Sequence, residues 1–126
     1  MFLSINQHDN RPIYLQIINQ IKEQVGNGTL KPGDELPSVR EVADNLGINL
    51  HTVRNAYLKL RDQGIINLHL GRRARIAKRL PQRHPDIETD IQIRLKELIT
   101  DALLTGIQPE DLRKLIDHQL DQLKKE

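Results

Sequence analysis

Leu36-Pro37-Ser38-Val39-Arg40-Glu41-Val42-Ala43, then Leu46-Gly47-Ile48-Asn49, then Thr52-Val53-Arg54-Asn55-Ala56-Tyr57 is the stretch on which the fold turns. Ser38 followed three residues later by Glu41 has the spacing of a capping box, in which serine and acid each satisfy a backbone N–H left open at a helix start. Val42, Ala43 and Leu46 give the short helix that follows a narrow apolar face, and Gly47 stands where a left-handed residue closes it. Asn49 is a good cap for the next helix. That helix repeats apolar residues at Val53, Ala56, Tyr57 and Leu60, the i, i+3, i+4, i+7 pattern of one buried stripe. Two short helices joined by Gly47-Ile48-Asn49 make a helix-turn-helix.

Upstream, a helix starts near Pro12 and carries Ile13, Tyr14, Ile17, Ile18, Ile21 and Val25 on one stripe, until Gly26-Asn27-Gly28 ends it. Met1–Asn10 is a short extended lead-in, and Lys31-Pro32-Gly33-Asp34 is a turn. Downstream of Gly64 the period changes from helical to alternating. Ile66, Leu68 and Leu70 alternate with Asn67 and His69, Gly71-Arg72 is a turn, and Arg73-Ala74-Arg75-Ile76-Ala77 alternates again. A hairpin directly after a helix-turn-helix is a wing.

Pro81 to Pro85 reads as a linker. A fourth helix follows with Ile87, Ile91, Leu95, Leu98 and Ala102 on one stripe, while Ile93, Leu103 and Leu104 lie elsewhere on its circumference. Thr105–Pro109 breaks it, and a fifth helix carries Leu112, Leu115, Ile116, Leu120 and Leu123 along one side. The expected fold is mainly α with a small β hairpin: a winged helix-turn-helix domain over residues 1–80 and a two-helix C-terminal dimerisation tail over residues 81–126.

Composition narrows the function. With 37% hydrophobic and 29% charged residues the chain has the balance of a globular protein rather than a disordered one. No apolar run approaches the roughly 18 residues of a membrane span, and Met1–Ile5 is too short for a signal peptide. The chain has no cysteine, which excludes disulfides and thiolate metal sites and suits a cytoplasmic location. The five histidines have no metal-ligand spacing, and neither a nucleophile–base arrangement nor a glycine-rich phosphate loop is present, so no metal, cofactor or enzymatic activity is expected. The net charge of +2 is unevenly spread: residues 1–80 carry 12 Lys/Arg against 7 Asp/Glu, and residues 81–126 carry 7 against 10. A basic front and an acidic rear turn only the front toward a polyanion.

The residues suited to double-stranded DNA lie in that front half. With its apolar stripe buried, the third helix presents His51, Asn55 and Leu58, flanked by Arg54 and Lys59. Arg can pair with guanine O6/N7 and Asn with adenine N6/N7 in the major groove. Asn49 and the free N–H groups above it can hold a phosphate. Arg40 stands in the first turn of the second helix beside Ser38, within reach of a phosphate or a base edge. The wing carries Arg72, Arg73, Arg75, Lys78 and Arg79 within eight residues, a density that suits phosphates and a minor groove. The alternatives are a solvated polar face, a surface pairing of Arg40 with Glu41 or Asp44, and a wing that docks on an acidic protein.

The Leu36–Tyr57 motifs quoted above, with Leu60 and Gln63-Gly64-Ile65-Ile66, resemble the GntR family of bacterial regulators. Pro12-Ile13-Tyr14 and Lys31-Pro32-Gly33-Asp34 resemble its YtrA-type subfamily. The resemblance covers about residues 5–77 and implies a winged helix that contacts DNA at the starts of the second and third helices and in the wing. Position by position it marks Arg40, His51, Thr52, Arg54 and Gly71. The sequence departs from the pattern at Leu50, where many members have arginine or proline, and in the wing. There Gly71-Arg72-Arg73-Ala74-Arg75-Ile76 replaces Gly-x-Gly-Thr-Phe-Val, with Arg73 at the second glycine.

Only 46 residues follow Leu80, too few to enclose a ligand pocket of ordinary size but enough for two dimerisation helices, as the YtrA-type resemblance implies. The dimerisation residues are then Ile91, Leu95, Leu98, Ala102, Leu112, Leu115, Ile116, Leu120 and Leu123. The expected function is a repressor-type regulator that binds an inverted-repeat operator as a homodimer, with any small-molecule effector left open.

Overall fold

The computed structural model describes residues 1–69, 71–82 and 84–124. They form helices α1 (Ile13–Gly26), α2 (Val39–Leu46) and α3 (Leu50–Asp62), strands β1 (Ile66–Asn67) and β2 (Arg75–Ile76), then helices α4 (Pro85–Leu104) and α5 (Pro109–Lys124). The architecture is mainly helical with one antiparallel hairpin. The chain divides into two compact units, Met1–Pro81 and the segment from Gln82 onward.

The local chemistry of the first unit follows its caps. The Glu41 N–H donates to Ser38 Oγ at 3.1 Å, and the His51 N–H donates to Asn49 Oδ1 at 2.7 Å. Gly47 closes α2 at φ 65°, a left-handed conformation that costs glycine nothing and other residues a clash at Cβ. Ile17, Ile18 and Ile21 of α1 meet Val42 and Ala43 of α2 and Val53, Ala56, Tyr57 and Leu60 of α3 in one buried core. Leu30, Leu36, Ile66, Ala74 and Ile76 complete it. Tyr57 uses its one polar atom inside this core, donating from its hydroxyl to the Pro37 carbonyl at 2.6 Å. That bond fixes the loop immediately before α2.

Ile66 pairs with Ile76 and Asn67 with Arg75, so both isoleucines face the core while Asn67 and Arg75 face out. Leu70 lies outside the described residues. Beyond the expected hairpin, Glu35 bridges to Arg75 on the other edge of β2, with Leu36 N–H donating to the Ala74 carbonyl at 2.8 Å and Ile76 N–H to the Asp34 carbonyl at 2.9 Å. The segment after Gly33 therefore holds the wing from below, where the sequence showed only a turn. At the front of α1 the stripe is shorter than expected: Ile13 and Tyr14 are 37% and 38% exposed, and Leu15 packs against the core instead.

In the second unit, α4 and α5 contain no buried residue. Their joint is closed by Gly106 and by the Ile107 N–H, which donates to the Ala102 carbonyl at 3.1 Å. Ile99, Ala102, Ile107 and Leu112 are half-buried, and the remaining large apolar side chains on both helices are exposed.

Candidate nucleic-acid interface

Helix α3 is an amphipathic cylinder whose stripe of Val53, Ala56, Tyr57 and Leu60 is fully buried, so its opposite side is turned outward by geometry. Arg54, Asn55 and His51 are exposed there, Thr52 and Leu58 are half-buried, and Asn49 is exposed with its side chain spent on the cap. Arg40, in the first turn of α2, is exposed as well. Neither Arg40 nor Arg54 makes a side-chain hydrogen bond or ion pair with another described residue. The possible surface pairing of Arg40 with Glu41 or Asp44 is therefore not formed.

The starts of α2 and α3 open onto one shallow cleft of about 500 Å³, lined by Ser38, Arg40, Leu50, Arg54, His69 and Gly71 among others. An adjoining depression of about 360 Å³ shares Ser38 and Gly71 and adds Arg72 and Arg73. The fold thus brings Ser38, Arg40, Arg54 and Gly71 together, although they come from three separate elements. Asn49, His51, Thr52 and Asn55 stay outside these concavities on the first turns of α3. Gly71 has φ 75°, which places the wing turn in the left-handed region. No other residue type among the described ones has positive φ, so Arg73 replaces the family's second glycine without backbone strain.

The wing arginines divide. Arg72 has no side-chain partner among the described residues. Arg73 donates from both terminal nitrogens to Glu41, at 2.6 Å to Oε1 and 3.2 Å to Oε2. Arg75 donates to Glu35 Oε1 at 2.6 Å and to the Gly33 carbonyl at 3.0 Å. The Arg73 hydrogen bonds hold the Glu41 carboxyl below the usual carboxylate range, with smaller help from the Ser38 hydroxyl and N–H, and Glu41 in turn raises the Arg73 guanidinium. Burial pushes the Tyr57 phenol far above its ordinary value, so it remains a neutral donor to Pro37.

The sequence reading did not find the Glu41–Arg73 pair or the contribution of Leu50, Leu68 and His69 to the cleft. Alternation in the wing was the available signal for Leu68 and His69. The ion pair spans 32 residues and has no local pattern to announce it.

The model of the bacterial regulatory proteins, gntR family, matches residues 13–76. The HTH-type transcriptional repressor YtrA of Bacillus subtilis (strain 168) is 40% identical over 115 residues, covering 90% of this chain and 88% of that protein. A crystal structure described as a transcriptional antiterminator from Listeria monocytogenes EGD-e superposes with a TM-score of 0.91 at 33% identity, over 100% of this chain and 95% of that one. The DNA-binding domain of AraR in complex with operator ORX1 superposes with a TM-score of 0.52 at 25% identity, over 61% of this chain and 93% of that one.

Proposed function

The chain belongs to the GntR family of bacterial regulatory proteins and is a DNA-binding transcription regulator, and from that premise we propose that it is a repressor that binds an inverted-repeat operator as a homodimer. The observation that carries the reading is the pair of uncommitted arginines, Arg40 and Arg54, on one cleft formed by the starts of two capped helices. A cleft for a protein partner would be richer in aromatic side chains and would leave fewer free cations at its centre.

In this reading Arg54 and Asn55 meet base edges in the major groove, as guanine and adenine present the matching donors and acceptors there. Arg40, His51 and Thr52 contact bases or phosphates beside them, and Ser38 and Asn49 present the α2 and α3 starts to the backbone. Gly71 and Arg72 at the wing tip reach the neighbouring minor groove. Arg73 and Arg75 were expected to join them, and their ion pairs leave Arg72 as the wing cation best placed for direct contact. The repressor sign is supported by the name of the YtrA relative. The homodimer is supported by the exposed apolar faces of α4 and α5.

Selection of bound duplexes from a random DNA pool tests the reading. The expected product is an inverted repeat with half-sites about one helical turn, or a small multiple, apart. Transcription from a promoter carrying that repeat should fall when the protein is added. A pool that yields no sequence preference would overturn operator binding, and increased transcription would overturn the repressor sign.

A further inference from the structure

We propose that Glu41 is an internal counter-ion that holds Arg73 away from DNA phosphates, so that the pair, rather than Arg73 alone, sets the electrostatic strength of DNA binding. The inference rests on the reading above, in which the starts of α2 and α3 face DNA.

Glu41 directly follows Arg40 in the first turn of α2, and Arg73 lies in the depression that shares Ser38 and Gly71 with the cleft. The two terminal nitrogens of Arg73 grip the two carboxylate oxygens of Glu41 in the forked arrangement with which an arginine takes a phosphate. Both side chains are 47% exposed, so water and ions have access to the pair and a phosphate can compete for it. The competition is unfavourable to the phosphate. Moving Arg73 onto DNA would exchange one anion for another and leave a bare carboxylate beside Arg40, in the field of a polyanion. Kept in place, Arg73 neutralises Glu41 and releases no condensed counter-ion from the DNA. Arg73 is thus a positioning and neutralising residue, and Glu41 restrains sequence-independent affinity.

The test is a double-mutant cycle on the full chain, with dissociation constants measured against salt for one selected operator and one random duplex. Glu41→Gln frees Arg73, and is expected to tighten binding to both duplexes several-fold and to steepen the logarithmic salt slope by about 0.9, the contribution of one phosphate contact. Arg73→Ala bares Glu41 and should weaken binding to both duplexes. The double variant should return to within about twofold of the wild-type constant, with the wild-type slope. A double variant as weak as Arg73→Ala, with a slope shallower by about 0.9, would show that Arg73 grips phosphate in the native complex and would overturn the proposal. So would three variants indistinguishable from wild type. Arg73→Gln serves as a second variant, and each melting temperature checks that the fold is kept. Arg40→Ala separates the two levels: if it weakens binding while Glu41→Gln does not tighten it, only the counter-ion role fails. If Arg40→Ala also has no effect, the DNA-facing assignment itself fails.

Discussion

The side-chain amide of Gln20 accepts the Ser4 N–H at 3.0 Å and donates to the Ser4 carbonyl at 2.6 Å, the two bonds that a neighbouring strand would make. Gln16 does the same for Asn6, at 2.9 and 3.2 Å, and Gln24 for Phe2. Four residues of helix advance about 6 Å and two residues of strand nearly 7 Å, so the repeats match closely enough for three rungs. The intervening Leu3 and Ile5 are turned onto the core. Gln16 is 5% exposed, so Gln16→Leu would leave the Asn6 N–H without its partner, at a cost of about 1–3 kcal/mol, while the Asn6 carbonyl keeps the Asp9 N–H at 3.2 Å. Gln20→Leu should cost less, because water can reach its partners. Urea denaturation and amide exchange at Asn6 measure both, and unaltered stability in Gln16→Leu would make the ladder incidental.

The ladder also shows where sequence reading stops. Glutamines four apart on α1 look like an ordinary polar face, and residues 2–6 look like an untethered lead-in, because the match between helix rise and strand rise exists only once both are built. The helices were legible for the opposite reason. Ser38, Gly47 and Asn49 act within a few residues of themselves, so cap, stop and cap can be read locally, as can the Val53–Leu60 stripe. Arg40 and Arg54 were legible as contact candidates by type and position, and Gly71 through the family resemblance. The commitments of Arg73 to Glu41 and of Arg75 to Glu35 were not, since each crosses between distant segments.

Arg54 tests base readout. If it pairs with a base, Arg54→Ala should cost about 1–3 kcal/mol on the selected operator and relax preference at one position in each half-site. Competition binding against a panel of single-position operator variants measures this. Equal losses on operator and random duplex would make Arg54 a phosphate contact.

Arg72 and Arg75 should behave differently although they are three residues apart. Arg72→Ala is expected to weaken binding and to flatten the salt slope by about 0.9. Arg75→Ala should leave the slope nearly unchanged and lower stability by at most about 1 kcal/mol, since its pair with Glu35 is solvent-exposed on both sides. Fluorescence anisotropy over a salt series separates the two. A slope lost equally in both variants would mean that the Glu35 pair opens on DNA.

Asp9 links stability to pH at the approach to α1. Hydrogen bonds from the Arg11 guanidinium, and then from the Arg11 N–H at 2.9 Å, lower its carboxyl to about 2. A carboxyl depressed in the folded state binds its proton more readily when unfolded. Its contribution is therefore complete above the ordinary value of about 3.9 and is lost as pH falls through the folded value. Asp9→Asn should flatten the decline of stability between about pH 4 and pH 2 relative to wild type. Carboxyl chemical shifts followed by NMR locate the titration directly, and a midpoint near 4 would show that the Arg11 contact does not persist in solution.

The proposed homodimer rests on area that neither tail helix covers. Leu95 is 44% exposed on α4 and Leu115 51% exposed on α5, and neither helix has a single buried residue. Ile91 and Leu98 continue the first face, at 49% and 59%, and Ile116, Leu120 and Leu123 continue the second, at 37%, 49% and 43%. Ala102 and Leu112, both half-buried, lie on the same faces. Contiguous apolar surface of this extent is rare on a soluble monomer, and a helix without tertiary burial has little to hold it. A two-fold copy supplies the same faces to each other, and two-fold pairs are the commonest closed assembly. The acidic balance of residues 81–126 keeps this surface from competing for DNA. Leu95→Asp combined with Leu115→Asp should therefore yield a monomer by light scattering that binds a single half-site and loses the gain from the second. The gain lost is the effective-concentration term, which for a linked pair of sites can reach about 10²–10⁴ in affinity. A double variant that stays dimeric and binds the full repeat as wild type would place the interface on another surface, and one that is monomeric yet keeps full affinity would remove the dimer from the mechanism.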